Sequence, residues 1–224
     1  MVGSLVFAYT RTGRYSKAEP LAQERLKYLL TNRVDGFVAV ANFAELLQEW
    51  AWSERFEADK TKACERAREA ERLLRDCLSS RPGTPPFSPF LKVVTEGLLG
   101  GALVAVNVLD PTLTDEARKA RFTEAEKLLT QADKVFEASY NPFVIVDRGW
   151  LRDGRERLIR LYEAWDKTEK LAEWKQKLEA FDTAVATKRK AEQLAVGNAE
   201  VLQRISEARK TLGPTNPAPK EPTK

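Results

Sequence analysis

Apolar residues return along this chain at helical spacing, and a short phrase returns with them. It reads Gly13-Arg14-Tyr15-Ser16-Lys17-Ala18-Glu19, then Ala70-Glu71-Arg72-Leu73-Leu74-Arg75, then Phe122-Thr123-Glu124-Ala125-Glu126-Lys127-Leu128-Leu129. A degenerate copy is Asp166-Lys167-Thr168-Glu169-Lys170-Leu171-Ala172-Glu173. Each copy follows one apolar helical stretch and opens a second, which predicts stacked helix–turn–helix units that bury their apolar faces on their neighbours. Architectures of this kind build surfaces and rarely build active sites.

Four helical pairs follow from the periodicity and the breakers. The first runs from about Ser4 to Thr12, turns at Gly13, and resumes from Ser16 to Leu30. Asn32 to Gly36 is a connection. The second pair runs from Phe37 to Ser53, breaks near Phe56–Asp59 and continues to about Ser80. Arg81-Pro82-Gly83-Thr84-Pro85-Pro86 is a loop, because its prolines cannot sit in a helix interior. The third pair starts near Phe90, runs to Val108 and is ended by Asp110-Pro111; Thr114-Asp115-Glu116 then reads as an N-cap with an acidic first turn, opening a helix to Ser139. Asn141-Pro142 precedes the fourth pair, with Leu158, Leu161, Tyr162 and Trp165 on its first helix and Leu171, Trp174 and Leu178 on its second. Phe181 to Leu212 reads as one or two polar, Ala-rich helices broken at Val196-Gly197-Asn198, suited to covering the end of the stack. Gly213 to Lys224 is Pro-rich, has no large apolar side chain, and is predicted to be disordered.

Small residues mark where the helices of a pair cross. Ala44 and Gly100 hold that place in the first helices of the middle pairs, with Val6 and Ile159 in the outer ones; Ala18, Ala70, Ala125 and Leu171 hold it in the second helices. Ala44 to Ala70 and Gly100 to Ala125 span far longer intervals than Val6 to Ala18. Because Ala63-Cys64-x-x-Ala67 and Ala117-x-x-Ala120 keep the helical period, the insertions are expected to lengthen the inner helices by whole turns, beyond the outer ones.

The Gly-x-Tyr-x-x-Ala of Gly13, Tyr15 and Ala18, with Tyr9 upstream, resembles a tetratricopeptide repeat. Ala70 to Leu78, Leu98-Leu99-Gly100-Gly101-Ala102-Leu103 and Glu156 to Trp165 resemble the C-terminal repeat region of planctomycete serine/threonine protein kinases. The resemblance covers roughly residues 1–180 and implies an all-α, right-handed solenoid of about four tetratricopeptide-like pairs. To this the segment 181–212 adds a capping helix and 213–224 a tail. It carries no enzymatic activity over, since the Gly-rich, His-Arg-Asp and Asp-Phe-Gly kinase motifs are absent from the chain. It implies a concave face lined by the first helix of each pair: Thr10 and Arg11, then Glu45, Gln48 and Glu49, then Gly101, Val104 and Ala105, then Glu156, Arg160 and Glu163. Such a groove, apolar in the middle and mainly acidic on both sides, suits a peptide with apolar anchors and basic flanks.

Composition narrows the chemistry. There is no histidine, which removes the commonest general base and zinc ligand. Paired carboxylates such as Glu45 and Glu49 come with no nucleophile or ligand cluster, so no catalytic residue, metal or cofactor is expected. Lys and Arg total 37 against 33 Asp and Glu, interspersed along helix faces; with Lys188-Arg189-Lys190 the tightest basic run, no nucleic-acid track is expected. Cys64 and Cys77 fall on different faces of one helix and read as small apolar side chains. Gly97 to Leu109 is the most apolar stretch, short of the roughly 20 residues a bilayer demands, and no signal peptide is evident. A soluble, cytoplasmic interaction scaffold is therefore expected. Met1 falls inside the first helix, so Leu5, Phe7 and Tyr9 are expected to meet upstream repeats or a partner, with self-association open to that end. The competing expectation is a structural subunit of a larger assembly.

Overall fold

The computed structural model describes residues 2–31, 37–57, 60–79, 89–139 and 145–212. Among these there are eight helices and no strand: α1 (Val2–Arg11), α2 (Tyr15–Thr31), α3 (Phe37–Ser53), α4 (Thr61–Leu78), α5 (Pro89–Leu109), α6 (Asp115–Ser139), α7 (Ile145–Ala164) and α8 (Thr168–Leu212). The loop expected at Arg81–Pro86, the break at Asn141-Pro142 and the tail from Gly213 lie outside the described residues. The chain divides into two compact units, Met1–Leu178 and Glu179–Lys224.

In the first unit each helix from α1 to α6 packs on its successor, and α1, α3, α5 and α7 also touch one another in turn. The turns of the first and fourth pairs repeat bond for bond. Arg14 N donates to Tyr9 O (2.8 Å) and Thr12 N to Ala8 O (3.1 Å); at the same separation, Lys167 N donates to Tyr162 O (3.0 Å) and Trp165 N to Leu161 O (2.9 Å). This is a Schellman closure, which needs a left-handed residue just past the helix. Gly13 supplies it at φ 68° and Asp166 at φ 56°. Asp is among the few side chains that tolerate this region, which is why the fourth copy of the phrase can lack the glycine.

The insertions of the middle pairs are helical, as expected. α3 and α5 run past the position equivalent to Arg11, and α4 and α6 start well before that of Tyr15. Their extra turns bury Ala51, Ala63, Cys64, Ala67, Ala105, Val106 and Leu109 as a second small core. Ala120, by contrast, is exposed. Length alone does not set the inner pairs apart from the fourth: α7, at 20 residues, nearly matches α5 at 21. Asp110 closes the α5–α6 turn. It accepts from Thr112 N (3.0 Å), the Thr112 hydroxyl (2.7 Å) and Arg68 Nη2 (2.5 Å). Thr114 caps α6 by accepting from Ala117 N (3.2 Å).

α5 is the central helix. It contacts α3, α4, α6 and α7, and its buried residues run from Thr95 to Leu109. The length argument made for Gly97–Leu109 does not carry over to the folded helix, which reaches back to Pro89. By length and composition α5 could cross a membrane, while 56% of its apolar window is buried by its neighbours. A helix apolar on all sides must be enclosed on all sides. Gly100 is where α6 comes closest: a Cβ there would lie 2.7 Å from Leu129 Cγ and 3.4 Å from the Ala125 carbonyl.

The break expected at Val196-Gly197-Asn198 is not there; α8 is continuous. One interior glycine costs a helix about 1 kcal/mol, which the surrounding Ala, Glu, Gln, Lys and Arg absorb. None of the described side chains of the second unit is buried, and Leu194, Val201 and Leu202 are exposed.

Two predictions follow from this packing. Gly100→Ala is expected to lower stability by about 1–2 kcal/mol, overpacking against Leu129 outweighing the gain in helix propensity. Gly154→Ala in α7, where a Cβ meets nothing within 4 Å, is expected to raise it by about 0.5–1 kcal/mol. Urea unfolding of both variants checks the opposite signs. Burial alone would raise the Asp110 carboxyl, but Thr112 and Arg68 outweigh it and hold the carboxyl at about 2, below its usual 3.8. A depressed carboxylate stabilises the fold above its unfolded value and loses that contribution on acidification. About 2 kcal/mol should therefore disappear between pH 4 and pH 2, and Asp110→Asn should abolish that portion of the acid titration of stability.

Candidate functional site: the inner seam of α1, α3, α5 and α7

Helix α3 presents Glu45, Gln48, Glu49 and Trp52 as one stripe, and α7 presents Asp153, Arg157 and Arg160 at matching helical spacing. The two stripes meet. Arg157 Nη2 donates to Glu45 Oε1 (3.1 Å), and Arg160 forks onto Glu49 with two bonds of 2.9 Å. Arg11 of α1 forks onto Asp153, its Nη1 lying 2.8 Å from Oδ1. Three guanidiniums thus balance three carboxylates where α1, α3 and α7 converge.

Between these pairs lies a water-sized hollow of about 10 Å³, lined by Gln48, Trp52, Gly101, Val104, Ala105, Arg157 and Arg160. Gln48 is 3% exposed, and among the described residues neither its amide nitrogen nor its oxygen has a hydrogen-bond partner; nor has Arg157 Nε. Gly101 makes the hollow: a Cβ there would lie 2.8 Å from Arg157 Cδ and 2.9 Å from Gln48 Oε1. Arg160 also lies over the Trp52 ring, 5.1 Å from its centroid, and Arg55 over the same ring at 4.5 Å.

The charges are not equivalent. Burial pushes the Glu45 carboxyl above its ordinary range, Arg157 pulls it back, and Asp153 adds to the rise. Burial acts the same way on Glu49, but the Arg160 fork outweighs it and holds that carboxyl below its ordinary range. Burial also opposes the Arg11 charge, while Asp153, Glu45 and Glu49 more than compensate and raise it.

The residues expected on a concave face are therefore distributed as follows. Arg11, Glu45, Gln48, Glu49, Gly101, Val104, Ala105 and Arg160 come together. Their groove, however, is taken up by contacts within the chain: Gln48, Val104 and Ala105 are buried, and the acidic flanks are neutralised by arginines of α7. Thr10 is buried too, its hydroxyl donating to Val6 O (2.9 Å). Glu156 points elsewhere and pairs with Arg152 on its own helix, while Glu163 is exposed. Asp153, Arg157 and Trp52 belong to the seam and were not expected there. The signal was available for α7: Asp153, Arg157 and Arg160 share one stripe, and Glu156, Arg160 and Glu163 share another turned slightly around the helix, so a small error in helix phase selects the wrong carboxylates.

A second layer of buried charge ties α6, α7 and the start of α8. Arg155, almost fully buried, donates to Asp133 (3.0 Å) and Glu137 (2.8 Å), and Lys177 reaches Asp133 at 2.7 Å. Tyr162 donates to Glu126 at 2.9 Å and Lys170 pairs with the same carboxylate. Among the described residues no three His, Cys, Asp or Glu stand together as metal ligands.

Removing one member of a buried pair leaves the other charge unpaired in a poorly solvated place. Arg157→Met is expected to cost about 3 kcal/mol at neutral pH, and Glu45→Met in the same chain to recover most of it. Without Arg157 the Glu45 carboxyl rises further above its unfolded value, so the folded state binds the proton more tightly and stability recovers as pH falls. The deficit should shrink visibly by about pH 5. Urea titrations across pH for the three chains check both statements.

No protein-family model matches this chain, no curated protein matches it, and no solved structure matches it.

Proposed function

We propose that this chain is a non-catalytic protein-interaction scaffold, a tetratricopeptide-like α-solenoid that meets its partner across its first three helices. The observation that carries this reading is an open groove of about 810 Å³ between α1, α2, α3 and the start of α7, floored by Phe7, Tyr28, Leu29, Val38 and Trp150 and edged by Glu24, Arg25 and Glu45. Phe7 is 48%, Tyr28 63% and Val38 48% exposed. An exposed apolar patch rimmed by charge is the usual mark of a protein contact.

The inner seam supports the same choice by elimination. Its carboxylates are already matched by Arg11, Arg157 and Arg160, so a basic partner there would have to displace pairs that hold helices together. Substituting Glu45 or Glu49 would therefore report on folding as much as on binding. A structural subunit of a larger assembly remains the second reading, favoured by the concentration of exposed apolar side chains on α1 to α3, since a neighbouring subunit could cover the same surface.

The test is affinity capture from source lysate with three chains: wild type, Phe7→Ser/Tyr28→Ser in the groove, and Phe56→Ser as a control at an exposed site in the α3–α4 turn. A partner held by wild type and control but lost from the groove variant, with melting temperatures alike, is the expected result. Equal retention by all three would overturn the assignment of the groove. Cross-linked multimers of the purified chain that disappear in the groove variant would favour the subunit reading.

A further inference from the structure

Behind the groove lies a second, more enclosed space of about 70 Å³ between α3, α5, α6 and α7. Its walls are apolar, among them Val94, Leu98, Leu129, Phe136 and Trp150, and its charged and amide groups are Asn42, Glu45 and Arg157. Val38, Asn42, Glu45 and Trp150 line both this cavity and the open groove, so the polar residues Asn42 and Glu45 stand where the two spaces join.

One wall is bare helix backbone. Gly154 is a buried glycine in the interior of α7, and a Cβ on it would meet nothing within 4 Å. A glycine there weakens the helix by about 1 kcal/mol relative to alanine, and no close approach requires it. This differs from Gly97, on the opposite wall, where a Cβ would lie 3.3 Å from that of Ala132. Gly154 costs stability and keeps the cavity open.

We propose that this cavity is a binding site for a small uncharged amphiphile, a molecule with a compact apolar body and a single hydroxyl or carboxamide head. The shape follows from the lining: small-ligand sites are mostly apolar, with a few polar groups placed to orient one end. The size follows from the volume. At about 10–15 Å³ per water, the space admits about five waters, equivalent to a body of about four to six carbons with its head at the mouth. The neutral head follows from the charge count. Arg11, Arg157 and Arg160 already balance Glu45, Glu49 and Asp153, so a charged head would sit uncompensated beside the buried Arg157–Glu45 pair.

The experiment is a titration of the full chain with isobutanol and with phenol, read from ¹³C-methyl NMR shifts of Val94, Leu98 and Leu129. Wild type is expected to show saturable shifts at these methyls. Gly154→Val, which fills the cavity, should bind at least about tenfold more weakly. Isobutyrate and isobutylammonium should also bind about tenfold more weakly than isobutanol. Should Gly154→Val fail to fold, Gly154→Ala gives the same comparison with a severalfold weakening. Shifts that do not saturate in wild type, or equal binding by wild type and the filled variant, would overturn the site. Equal binding of the charged probes would overturn the class of ligand.

Discussion

The enclosure of α5 is the constraint on which the rest of the first unit depends. A helix carrying Leu, Val, Ala and Gly around its whole circumference can be stable in water only when other helices cover it on every side. Helices α3, α4, α6 and α7 bury most of it from Thr95 to Leu109, and the glycines of α5 set how near they come. Gly97 and Gly100 let α6 approach through Ala132, Leu129 and the Ala125 carbonyl, and Gly101 admits Gln48 and Arg157 from the inner row. Pulling α3 and α7 onto one helix draws their stripes together, and this is what brings Asp153, Arg157 and Arg160 against α1 and α3.

That close approach changes the chemistry of the inner face. A carboxylate on an open concave surface would be solvated and available to a partner. Glu45 and Glu49 lie within a crowded seam, where an unpaired charge is costly and a matched one is tolerated. The opposite displacements of their two pKa values express the same fact, because Glu49 has a bidentate arginine and Glu45 shares its surroundings with Asp153. Apolar side chains reach solvent instead in the groove beside α1 to α3, with the cavity behind it. Both spaces meet at Glu45, so the seam that closes the inner face also forms the threshold of the two spaces that remain open.

The all-helical architecture and most element boundaries were legible in the chain because they rest on local rules. Gly13 marks a left-handed turn, Thr114 followed by acidic residues marks a helix start, and Ala63, Cys64 and Ala67 at helical spacing mark a buried stripe. Helix α8 is the instructive exception. Val196-Gly197-Asn198 carries a weak breaker, and neighbouring strong helix formers outweigh it without any tertiary contact being needed.

What the sequence by itself determined is the succession of helices, the turns between many of them and the residues at their closest crossings, since each depends on neighbours a few positions apart. Only the tertiary structure decided what the inner face does. Whether Glu45 meets a partner or Arg157 depends on the rotation of α7 about its axis and on how closely Gly101 lets it approach. Neither is encoded within any one helix. The same holds for the cavity beside Gly154: its walls come from α3 and from the successive α5, α6 and α7, and a void has no local signature because it is defined by what side chains of several helices fail to fill.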